Sequence, residues 1–101
     1  MNELILFEDV AGSIKFDIAN FVKVEVGQSK SIEAYLINTS DRFHIINIKE
    51  AHTDEDVIIA NVPNQLSPKE VKSITITFKP SLNRDEGLHS DSFFTGELIK
   101  P

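Results

Sequence analysis

The chain has 101 residues, 41% hydrophobic and 26% charged, which is one globular domain with a single core rather than a disordered or repetitive polymer. It has no cysteine, so a disulfide scaffold, a cysteine-based zinc site, a redox motif and a cysteine nucleophile are all excluded. Its net charge of −6 opposes binding to phosphate backbones and to anionic lipid surfaces.

The first predicted strand is Leu4–Phe7, four apolar residues flanked by Glu3, Glu8 and Asp9. This run is too short, and its flanks too acidic, for a secretory signal, which needs a basic start and about 7–15 apolar residues. A second β-rich run covers Ser13–Asp17 after the turn residue Gly12. In Asn20–Val26, Val22, Val24 and Val26 share one face and Lys23 and Glu25 the other, before a turn at Gly27. In Ser31–Ile37, Ile32, Ala34 and Leu36 alternate with Glu33, Tyr35 and Ile37. Such a period of two marks half-buried strands, whose successive side chains point to opposite faces. The polar tetrad Asn38–Asp41 ends that strand, because Asn and Ser side chains bond neighbouring backbone groups.

Further runs follow at His44–Lys49 and Val57–Val62, the latter closed by Pro63–Asn64. Pro68 sets the turn before Val71–Phe78, where Ile74, Ile76 and Phe78 alternate with Ser73, Thr75 and Thr77. Pro80 ends this strand by removing a donor. A polar loop, Ser81–Asp91, leads to the last run, Phe93–Ile99. Short strands separated by turn residues at regular spacing predict an all-β sandwich with no long helix. The expected core is Val22, Val24, Val26, Ile32, Ala34, Leu36, Ile46, Ile48, Ile74, Ile76 and Phe78.

Three blocks in order carry a resemblance. Val26–Gly27 leads into a strand ending in Asn38–Thr39–Ser40. Pro68–Lys69–Glu70 leads into a strand closing on Phe78–Lys79–Pro80. A final strand containing Gly96 follows a glycine-bearing loop. Together they resemble the immunoglobulin-like sandwich of the major sperm protein and ASPM–Hydin (ASH-type) domains. The resemblance implies an antiparallel β-sandwich of seven to eight strands, with 1–13 as an N-terminal strand extension and 14–99 as the sandwich. It also implies a scaffold without catalytic residues. The peptide-binding members use a basic patch, and this chain scatters its lysines among carboxylates.

Chemistry-bearing residues are few. His44, His52 and His89 match no metal-ligand spacing, and His89 with Asp91 and the adjoining Ser90 and Ser92 lacks a nucleophile-elbow glycine motif. Asn83, Asp85 and Asp91 place oxygen ligands along the polar loop. An EF-hand register starting at Asn83 nevertheless meets Leu88 and Phe94 where glycine and glutamate are required. The reading is therefore a non-enzyme with no catalytic residue, no metal site and no cofactor. Aromatic and arginine side chains in turns suit interface cores, which selects Arg42, Phe43, Arg84 and Phe93 as partner-binding candidates. Leu4–Phe7, bare of charge in its middle, suits pairing with a partner strand. The expected partners are other protein subunits, copies of the chain among them, and not nucleic acid, membrane or a small-molecule substrate. The expected role is a small virion subunit, a phage capsid decoration or tail accessory protein. The alternative is an intracellular cytoskeletal or scaffold domain of the major sperm protein type. A virion or cytoplasmic location, reached without a signal peptide, goes with either.

Overall fold

The structure, a computed structural model, describes residues 3–16, 26–51, 56–79 and 94–99. Within them lie six strands and no helix: β1 (Leu4–Phe7), β2 (Lys30–Asn38), β3 (His44–Glu50), β4 (Val57–Ala60), β5 (Val71–Phe78) and β6 (Phe94–Ile99). They form a four-stranded sheet of order β1-β2-β5-β4 and a two-stranded sheet of β3 and β6, with every pairing antiparallel. This all-β arrangement of two antiparallel sheets is consistent with a β-sandwich.

The alternation read from the sequence places the core. Ala34, Leu36, Ile74 and Ile76 are fully buried, and Phe78 nearly so, on one face of the large sheet. Leu4, Leu6 and Val57 join them there. Ile45, Ile48 and Phe94 come from the small sheet, and Phe16 and Leu66 from connecting segments. β1 is thus a full member of the sheet, with its register running from Leu4 opposite Asn38 to Phe7 opposite Tyr35.

Three expected core positions differ. Val26 is exposed beside the turn at Gly27, and Ile32 packs against the core only in part. Ile46 is replaced in the core by Ile45, because β3 carries a bulge. Ile46 pairs with Glu97 and Lys49 with Thr95, so Asn47 and Ile48 together oppose Gly96. Asn47 takes φ 53°, a left-handed conformation that asparagine tolerates better than most residues. The extra residue resets the phase, and Ile45 and Ile48 both point inward three positions apart. Val22 and Val24 lie outside the described residues.

β1 also differs from the expectation of a strand open to a partner. The Phe16 N–H donates to the Leu6 carbonyl (2.9 Å) and the Glu8 N–H to the Ile14 carbonyl (2.8 Å). The chain itself therefore occupies the outer side of β1 from Leu6 to Glu8.

Candidate functional site

The outer face of the large sheet changes character along its length. At one end it is polar: Ser31 and Thr77 share a hydroxyl hydrogen bond of 2.7 Å, and Ser73 donates to Glu33. At the other end the outward positions are Ile5, Phe7, Tyr35, Ile37 and Val71, neighbours by register across β1, β2 and β5. Phe7 and Ile37 are buried at 7% and 8% exposure, yet neither belongs to the main core. They form a second apolar cluster on the outside of the sheet.

A loop roofs part of this cluster. Asp9 organises it through a turn closed by the Gly12 N–H on the Asp9 carbonyl (3.2 Å). Its carboxylate accepts the N–H groups of Ile14 (2.9 Å) and Ser13 (3.0 Å). The Ile14 bond, opposed in part by desolvation and reinforced by lesser bonds from Ser13, holds the Asp9 carboxyl below its usual range. Gly12 sits at φ 71°, and a Cβ there would come within 3.0 Å of Ile37 Cδ1, so both conformation and space require glycine. The roof is incomplete. It leaves a cleft of about 230 Å³ over Phe7, Ile37 and Val71, with Val10 and Ala11 on one lip and Thr39 and Lys69 on the other. Val10, at the lip, is 63% exposed.

The Lys69 lip is built by two turns tied together through Asn38. Asn38, at the end of β2, is the one fully buried polar residue among the described residues. Its Nδ2 faces the carbonyls of Phe43 (2.8 Å), Ser67 (3.1 Å) and Leu66 (3.2 Å), and its Oδ1 accepts the Ser40 N–H (3.0 Å). In the second turn the Glu70 N–H donates to the Ser67 carbonyl (3.0 Å), with Pro68 and Lys69 between them. Proline followed by a positive φ is the type II pattern, and Lys69 meets it at φ 64°, where glycine or asparagine is favoured. Its Nζ donates to the Thr39 carbonyl (2.9 Å). Among the described residues this ammonium has no carboxylate partner, since Glu70 instead receives the Ser67 N–H and lies 3.8 Å from Lys72.

Of the candidates read from the sequence, Arg42 is exposed and Phe43 half-buried on the turn beside this cleft. Their N–H groups both donate to Ser40 Oγ, at 3.2 and 2.9 Å. They neighbour the cleft without lining it. Arg84 and Phe93 lie outside the described residues, as do Asn83, Asp85, Asp91, His52 and His89. His44 is exposed at the start of β3. Among the described residues no three His, Asp or Glu side chains are grouped to hold a metal ion.

The cleft itself escaped the sequence reading, although two signals pointed to it. Tyr35 and Ile37 are too apolar for an outward face, and proline at the second position of a turn invites a positive φ at the third. No protein-family model, no curated protein and no solved structure matches the chain, so the reading of its function rests on its own residues.

Proposed function

We propose that this chain is a non-enzymatic assembly subunit with an immunoglobulin-like sandwich, working through protein–protein contacts at its cleft end. The observation that carries this reading is the outer-face apolar cluster with its half-closed roof. Asp9 spends its carboxylate on ordering a loop that holds Val10 in solvent at the lip of apolar Phe7 and Ile37. Exposed apolar surface beside buried apolar floor is the pattern of a protein contact. The cleft is also smaller than the ~300–1,000 Å³ typical of small-molecule sites, which favours a side chain of another protein as its occupant.

The strand order supports the finer fold. β1-β2-β5-β4 with β3-β6 follows the A-B-E-D and C-F neighbours of an immunoglobulin constant-type sandwich. An acidic, cysteine-free sandwich of this kind suits a coat or tail subunit of a virus particle, which is the setting we favour.

The test replaces two exposed residues of this end, Val10→Ser with Arg42→Ser, and measures thermal unfolding and incorporation into the native assembly by antibody detection. Both side chains are exposed, so unfolding is expected to change little. Lost incorporation with retained folding is the expected result. Normal incorporation would remove this end of the molecule from the interface and overturn the reading.

A further inference from the structure

The cleft offers an apolar floor, an aliphatic lip and one ammonium, Lys69, with no carboxylate partner among the described residues. Its complement is an aliphatic side chain adjoining a carboxylate. The chain displays that combination itself. On β6, Leu98 and Ile99 are 40% and 43% exposed, and Glu97 beside them is also exposed. We propose that the cleft is occupied by Ile99 of a second copy, with Glu97 of that copy, which shares its face of β6, against Lys69.

Geometry makes the contact self-complementary. Ile99 pairs with His44, which follows Phe43 in the chain, and the Phe43 carbonyl accepts from Asn38. The Asn38 carbonyl in turn accepts the Lys69 N–H (3.0 Å). The cleft and the β6 terminus therefore stand at the same end of the two sheets, one on each. A two-fold axis through that end lets each copy give its β6 terminus and receive its partner's, as a closed isologous dimer requires. The exposed Ile58 does not compete for this role. Val57 pairs with Phe78, at the far end of β5 from Val71, which places β4 away from the cleft.

The chemistry divides between two effects. Burial of Ile99 and Val10 supplies the affinity. The Lys69–Glu97 pair is solvent-exposed and adds little attraction, but it selects the register, because like charges brought together there are costly. It also gives a reason for lysine at φ 64°, where glycine would fit without strain: the ammonium is wanted at the lip.

This inference rests on the assembly reading and is tested separately from it. Sedimentation equilibrium of the full chain, from about 10 μM to about 1 mM, spans the affinities expected of a small contact. A concentration-dependent dimer is expected. Lys69→Glu and Glu97→Lys should each weaken it by about tenfold or more, and the two changes together should restore it. Ile99→Ser, on the other sheet from the cleft in its own copy, should weaken it by a similar factor and guards against a Lys69 variant that disturbs its own turn. A monomer throughout the range overturns the inference, as does a dimer indifferent to Glu97→Lys and Ile99→Ser. In either case the assembly reading stands or falls on incorporation of the Val10 and Arg42 variant.

Discussion

Single residues set the local terms on which this molecule holds together, and Asn38 sets most. Its amide supplies donors to three backbone carbonyls from two turns while its oxygen takes a fourth backbone group, all at full burial. Asn38→Ala leaves those carbonyls without the donor and should cost about 3 kcal/mol in urea unfolding. Asn38→Asp turns a carboxylate toward the same carbonyls. Burial and their repulsion raise its folded pKa above the unfolded value of about 4, so its penalty should grow as pH rises past that value and shrink in acid. Measuring unfolding at two pH values separates the two variants. Asp9 acts in the opposite sense. Its folded pKa is lowered, chiefly by the Ile14 N–H, so the order it gives the roof is present above the ordinary carboxylate value and is lost as pH falls through its depressed one. The Ser13 and Ile14 amide signals should titrate together in that acid range by NMR, and Asp9→Ala should abolish the step. The Asn-Thr-Ser strand end was legible in the sequence because such side chains close on their own backbone. That Asn38 also reaches Leu66 and Ser67 was not, because no local pattern reports a partner almost thirty positions away.

At the scale of elements, β3 shows where periodicity runs out. Ile45, Ile46 and Ile48 are all apolar, so the sequence supports either phase, and simple alternation selects Ile46 with Ile48. The bulge at Asn47 selects Ile45 with Ile48. Ile45→Ala should therefore cost about 2–5 kcal/mol and Ile46→Ala clearly less, measured by equilibrium unfolding. The reverse order would restore the unbulged register. β6 makes room for the bulge with Gly96, where a Cβ would stand 2.6 Å from Ile45 Cγ2 and 3.2 Å from the Ile46 carbonyl oxygen. Gly96→Ala should cost about 1–3 kcal/mol, since both a side chain and the backbone would have to give. β2 and β5 needed no such correction. Their eight register pairs from Lys30–Phe78 to Ile37–Val71 run without interruption, and the apolar residues repeat at every second position.

At the scale of the whole molecule, the charge balance and the ligand inventory bear on behaviour in solution. The histidine spacing and the failed EF-hand register of the Asn83 loop encode no closed ligand set, so chelator treatment should leave the melting temperature unchanged; a fall of several degrees would restore a calcium role to Asn83, Asp85 and Asp91. By itself the sequence determined the all-β class, the inward faces of β2 and β5 and the turns at Gly27 and Pro68. These follow from side-chain period, β-branching and backbone freedom, which act between near neighbours in the chain. Only the tertiary structure decided which isoleucines of β3 face the core and that Leu4–Phe7 pairs within its own sheet. It alone brought Phe7, Ile37 and Val71 together outside the main core, with the Asp9 loop and Lys69 at their rim. Those outcomes depend on register between strands and on packing of residues distant in sequence, where a shift of one position exchanges the buried face for the exposed one.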